Sequence, residues 1–129
     1  MKIKDLMTKK VITIPQDTPV LDMVEMFTMN RIHHIPVVDM EQNIIGMISN
    51  KDVENYITIV QTIKAKDKPV MAKEIMTHPI FSYYEDVSVV DAAKAMVDNK
   101  IHAIIVMNRK DEMVGILTST DILRFVASS

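Results

Sequence analysis

Shifted by 69 residues, this chain reads as a copy of itself, and that duplication constrains its fold more than any other feature. The two glycines, Gly46 and Gly115, open matching phrases, GMISNKD and GILTSTD. At the same offset KDLMT (4–8) falls on KEIMT (73–77), DTPVLD (17–22) on DVSVVD (86–91), and NRIHHIPVV (30–38) on NKIHAIIVM (99–107). Residues 3–57 and 72–126 align without a gap and are identical at 13 of 55 positions, Met7, Thr8, His33, Gly46 and Asp52 among them. A copy of about 55 residues buries little core alone, so the two are expected to share one. The reading is a single module over 1–129, with repeats at 3–57 and 72–126 and a linker at 58–71.

Each copy predicts the same elements. VITI (11–14) and IFSY (80–83) read as short strands, rich in β-branched or aromatic residues. Thr18-Pro19 predicts an N-cap with proline at the first helical position, and Ser88-Val-Val-Asp91 a capping box. Val20, Val24 and Phe27, like Val89, Ala93 and Met96, recur at helical spacing. The apolar runs at 32–38 and 101–107 predict buried strands, each followed by a polar turn and a hairpin partner at 44–49 or 113–118. A closing helix starts near Ser49 or Thr118. The first one extends past Thr58 and gives way to a linker at Lys66-Asp67-Lys68-Pro69. The order is strand, helix, strand, strand, helix, twice, an α+β (α/β) fold with the repeats related by a pseudo-twofold axis and packed sheet to sheet.

The glycine phrases admit two readings. Ser49-Asn-Lys-Asp52 and Thr118-Ser-Thr-Asp121 match the S/T-x-x-acid capping box, and a glycine suits a close approach of backbones; such features need no ligand. The same atoms also describe a nucleoside-phosphate cradle. A helix N-terminus attracts phosphate, a hydroxyl can donate to a phosphate oxygen, and an aspartate can accept both hydroxyls of a ribose diol. A glycine on the preceding strand would leave room for sugar or base.

Composition narrows the field. A net charge of −2 with interspersed signs argues against a nucleic-acid grip or an anionic-membrane surface. The absence of Cys removes disulfides, thiolate metal sites and a Cys nucleophile. No signal peptide and no membrane-length apolar run is present, which predicts a cytoplasmic protein. His33 and His34 lack the further ligands a zinc site needs, and the acids at 85–86 read as a solvated turn; no metal and no catalytic residue is predicted.

The motifs M-T, V-I-T-I, D-x-P-V, R-I-H-H-I-P-V-V-D and I-G-M-I-S-N-K-D-V, in order and in both copies, resemble a cystathionine β-synthase (CBS) domain. Two in tandem resemble a Bateman module. The resemblance implies a regulatory unit that requires no cofactor but binds an adenosyl ligand (AMP, ADP or ATP, or alternatively S-adenosylmethionine) in two clefts between the copies. It also implies a homodimer of modules and a regulated protein partner in trans. One cleft would pair Asp52 and Ser49 with Thr77, Ile80 and Phe81; the other would pair Asp121, Thr118 and Thr120 with Thr8, Val11 and Ile12. His33, His34, Pro36 and His102 would line the clefts. The second copy departs at Ile105, Ala103 and Asn108, where the first has Pro36, His34 and Asp39. The competing reading is a constitutive dimerisation scaffold whose clefts are vestigial. Its capping boxes would only cap.

Overall fold

The computed structural model describes residues 1–63 and 69–128. The predicted linker stretch Lys66-Asp67-Lys68 lies outside the described residues. In chain order the elements are α1 (Ile3–Leu6), β1 (Ile14–Pro15), a 3-10 turn (Val20–Asp22), α2 (Met23–Asn30), β2 (His34–Val38), β3 (Ile44–Ser49), α3 (Asn50–Ile63), α4 (Ala72–Ile75), β4 (Ser82–Tyr84), α5 (Val89–Asn99), β5 (Ala103–Met107), β6 (Met113–Thr118) and α6 (Ser119–Ala127). The result is a mixed α+β fold with two three-stranded sheets, ordered β1-β2-β3 and β4-β5-β6. In each, the first strand runs parallel to the second, and the second and third form an antiparallel hairpin.

The chain divides into two compact units that differ from the sequence repeats: 12–80 forms one, and 1–11 with 81–129 forms the other. The short opening segment of each repeat thus joins the other repeat. In one unit Ile3 and Lys4 donate to the carbonyls of Val87 and Glu85 at 2.8 and 3.0 Å. In the other, Ala72 and Lys73 donate to those of Thr18 and Gln16 at 2.8 and 3.0 Å. Ile3 is fully buried with Ala92, Met96, Ile104, Val106 and Leu117, and Ala72 with Val20, Met23, Phe27, Ile35, Val37 and Ile48. The helices α1 and α4 were not predicted. Each is one turn long, too short to show a helical period, and is closed by an acid reaching back: Asp5 accepts from Lys2 N at 2.9 Å and Glu74 from Met71 N at 2.7 Å.

Four strands and one helix start differ from the prediction. Strand β1 covers Ile14–Pro15, not 11–14, and β4 covers Ser82–Tyr84, not 80–83. The difference in length follows from one residue. Ile105 donates its N–H to the Phe81 carbonyl at 2.9 Å, whereas the equivalent Pro36 has no N–H to give. Strand β2 begins at His34 and β5 at Ala103, because Arg31 and Lys100 first turn the chain through left-handed φ values of 52° and 55°. Thr18 caps nothing with its side chain: Pro19 is extended at ψ 135° and a 3-10 turn precedes α2. Ser88 does cap α5, accepting from Asp91 N at 3.1 Å.

Candidate functional site

Both S/T-x-x-D boxes form. In the unit 12–80, Asp52 N donates to Ser49 Oγ at 3.1 Å and Ser49 N donates to Asp52 Oδ2 at 2.9 Å. In the other unit, Asp121 N donates to Thr118 Oγ1 at 3.2 Å and Thr118 N donates to Asp121 Oδ2 at 2.9 Å. Each acid thus spends one oxygen on its own helix start and has one left.

The surroundings of the remaining oxygen differ. Asp121 Oδ1 accepts from Thr8 Oγ1 at 3.2 Å and lies 3.9 Å from the Arg124 guanidinium, and the residue is only 8% exposed. Asp52 is half-buried, and among the described residues its Oδ1 has neither a hydrogen bond nor an ion pair. Thr77, the counterpart of Thr8, stays on its strand edge, donating to the Met47 carbonyl at 2.8 Å and accepting from Met47 N at 3.0 Å. Thr8 makes the same backbone pair with Ile116, at 2.8 and 2.9 Å, and adds its hydroxyl to the acid.

The glycines belong to this backbone contact. A Cβ on Gly115 would stand 2.7 Å from Met7 Sδ and 2.8 Å from the Thr8 carbonyl oxygen; one on Gly46 would stand 2.7 Å from Met76 Cγ. The space expected for sugar or base is therefore filled by a methionine, and the glycines serve the close approach of the M-T segment. Sequence reasoning missed Met7 and Met76, although both are identical pairs of the repeat and precede the threonines it selected.

The predicted site residues divide between the two units. Ser49, Asp52, Thr77, Ile80, His33, His34 and Pro36 lie in one unit; Thr118, Thr120, Asp121, Thr8, Val11 and His102 lie in the other. Phe81 and Ile12, assigned to those groups, each fall in the opposite unit. Ile80, Val11 and Ile12 are half-buried. His34 is half-buried at the start of β2, opposite Ser49, and Pro36 is fully buried in that strand. His33 and His102 are exposed, and their carbonyls accept from Asn50 N and Ser119 N at 3.0 and 2.9 Å. The His33 side chain lines a groove of about 390 Å³ between α2 and α3 with Arg31 and Glu54. Thr120 is exposed on the first turn of α6. Among the described residues no three His, Asp or Glu side chains are placed to hold a metal ion, and no helix is long and apolar enough to cross a membrane.

With two such boxes on two like units, the chain invites comparison with known proteins. The family named CBS domain matches residues 3–59 and again 72–128. The chain belongs to the CBS domain family, as a tandem pair. It is 28% identical over 123 residues to inosine-5'-monophosphate dehydrogenase of Methanocaldococcus jannaschii, covering 95% of this chain and 23% of that protein. It is 30% identical over 127 residues to the uncharacterized protein MJ1232 of the same organism, covering 98% of this chain and 40% of that protein. The chain therefore spans well under half the length of these relatives. Among solved structures, the CBS domain pair of protein MJ0100 in complex with 5'-methylthioadenosine and S-adenosyl-L-methionine is 26% identical, with a TM-score of 0.83, covering 99% of this chain and 97% of that one.

Proposed function

We propose that residues 1–129 act as one non-catalytic, cytoplasmic regulatory module that binds an adenosyl ligand and pairs with a second copy, with a protein partner reading the change in arrangement. Asp52 accepts the ribose hydroxyls, Ser49 serves phosphate, and Thr77 and Ile80 hold the base. Asp121, Thr118, Thr120, Thr8 and Val11 form a second site of the same kind, with His33, His34 and Pro36 supporting the first and His102 the second. The observation that carries this reading is Asp52 itself. A half-buried carboxylate whose second oxygen has no partner among the described residues fits a ligand hydroxyl better than a cap alone, since a cap uses only Oδ2.

The ligand class is an adenine nucleotide of the AMP, ADP or ATP type in the first reading. The solved relative MJ0100, carrying 5'-methylthioadenosine and S-adenosyl-L-methionine, favours a second reading in which the adenosyl group bears a sulfur substituent. Both use the same diol, so Asp52 serves either. Ligand binding acts as a switch only through its differential affinity for the arrangements available.

Isothermal titration of the stripped protein with AMP, ADP, ATP, S-adenosylmethionine and 5'-methylthioadenosine tests the proposal. Asp52→Ala is expected to weaken the tightest step roughly ten- to hundredfold, the loss of charge-assisted hydrogen bonds to a diol. No heat with any of the five ligands at about millimolar concentration, where even a weak site would respond, would return both boxes to helix caps and leave the scaffold reading.

A further inference from the structure

The two S/T-x-x-D boxes differ in the charges set around them. Arg124 lies one turn beyond Asp121 on α6, its guanidinium 3.9 Å from Asp121 Oδ1 and its side chain 74% exposed. Lys9 and Lys10 follow Thr8, whose hydroxyl bonds that same oxygen at 3.2 Å. Both lysines are exposed, and neither forms an ion pair among the described residues. Consecutive Cα atoms stand about 3.8 Å apart, so Lys9 is anchored next to the residue that touches the acid. Three cations are thus grouped on or near the segments that meet at Asp121, all within the unit formed by 1–11 and 81–129.

None of the three is repeated in the unit 12–80. At the offset of 69, Asn55 stands for Arg124, His78 for Lys9 and Pro79 for Lys10, and all three are exposed. The first six residues of α3 hold Lys51, Asp52 and Glu54, whereas those of α6 hold Asp121 and Arg124. With the two residues after each M-T threonine added, the formal charge is −1 around Asp52 and +2 around Asp121, histidine taken as neutral. The whole chain carries −2, so the second value is a local surplus. The positive end of a helix is common to both boxes, and the contrast lies in the side chains. Arg31 and Lys100 share a sign and do not discriminate. His34 runs against the pattern as a neutral group opposite Ser49, where the other unit has Ala103 opposite Thr118.

We infer that the Asp121 site selects adenosyl ligands with a polyphosphate chain, while the Asp52 site takes an adenosyl group with one phosphate or none. This rests on the proposed function and divides its ligand class between the two sites. A guanidinium offers paired hydrogen bonds to phosphate oxygens, and each ammonium adds a point charge. Every further phosphate brings negative charge that Lys9, Lys10 and Arg124 attract. Glu54, where α6 has Leu123, repels it at the other site. The Thr8 bond leaves less of Asp121 for a diol, which shifts the second site further toward phosphate.

Isothermal titration of the full chain with ATP, AMP and 5'-methylthioadenosine tests it, in magnesium-free buffer at about pH 8, where histidine is neutral. Asp52→Ala isolates the Asp121 site and Asp121→Ala the Asp52 site, with circular dichroism to check that each variant is folded. In Asp52→Ala, ATP is expected to bind about tenfold tighter than AMP, a preference that fades with added salt. Adding Lys9→Gln and Arg124→Gln, both at exposed positions, should remove most of that preference and leave 5'-methylthioadenosine within about threefold. In Asp121→Ala, ATP and AMP should agree within about threefold. Equal affinities or silence toward ATP in Asp52→Ala, or the preference appearing in Asp121→Ala instead, overturn the division and leave the proposed function standing. Inorganic tripolyphosphate binding as tightly as ATP overturns it too, since the cations would then form an anion patch and not a nucleotide site. No binding of any of the three adenosyl compounds, in the variants or in the unaltered chain, overturns both.

Discussion

Asp52 and Asp121 occupy the same place in two copies of one motif, and their local bonds agree to within 0.1 Å. They differ in what reaches them from far along the chain. Thr8, 113 residues away in sequence, donates its hydroxyl to Asp121, while no equivalent bond joins Thr77 to Asp52. A short motif thus builds the same helix start twice, but tertiary contact decides whether its second oxygen is occupied. Thr8 already meets part of the acceptor capacity of Asp121, so under the proposed function less is left there for a ligand hydroxyl. Asp52 is therefore the site expected to fill first.

The largest test of this comparison concerns the glycines. Gly115→Ala would drive a Cβ against the Thr8 carbonyl, a backbone atom that moves only with its strand bridge, as well as against Met7. At Gly46→Ala the three nearest atoms all belong to the Met76 side chain, which can turn aside in part. The first is expected to destabilise by about 2–3 kcal/mol and the second by about 1 kcal/mol less, read from urea unfolding midpoints. Equal losses would mean that backbone approach does not distinguish the two units.

Next in size is the pair of acids. Asp121→Ala removes a capping interaction and the Thr8 bond, about 2 kcal/mol together, whereas Asp52→Ala removes only the cap, about 1 kcal/mol. A double-mutant cycle of Thr8→Val with Asp121→Ala should show a coupling of roughly 0.5–1 kcal/mol. No coupling would remove the occupied-against-open contrast between the sites.

The smallest effect lies in the hairpin turns. Asp39 Oδ1 accepts from Asn43 N and Glu41 N, both at 2.9 Å; the equivalent Asn108 Oδ1 accepts from Lys110 N and Glu112 N at 2.9 and 3.0 Å. Only in the first turn is the accepting side chain ionisable, Asp39 against Asn108. The Asn43 backbone N–H, with that of Glu41, holds the Asp39 carboxyl below its ordinary value, outweighing partial desolvation. A carboxylate lowered on folding stabilises above its unfolded pKa, and that contribution is lost as pH falls through the folded one. Asp39→Asn should therefore flatten slightly the acid limb of the unfolding midpoint measured between about pH 5 and pH 2. An unchanged limb would show that the two turns contribute alike.

Much of the fold was legible in the sequence because its signals are local. Strands β3 and β6 fall where the apolar runs placed them, since turn residues and a following cap bound both ends. The caps at Ser49, Thr118 and Ser88 needed only three-residue spacing. Strand β1 is one residue shorter than β4 because of Pro36, more than twenty residues on, and α1 and α4 were missed because a single turn has no period. Ser49, Asp52, Thr118 and Asp121 were selected as repeated capping boxes and Thr8 through the family resemblance; their unlike surroundings followed from neither.

The sequence by itself determined the duplication, the strand-helix vocabulary of each copy and the acid at the head of α3 and α6. These follow from propensity, periodicity and hydrogen bonds within a few residues. The tertiary structure alone decided that methionines fill the space over the glycines, and that Thr8 bonds Asp121 while Thr77 makes no such bond to Asp52. Such contacts depend on closing chain segments of 30 to 113 residues, and no local pattern records which partner a side chain meets when they close.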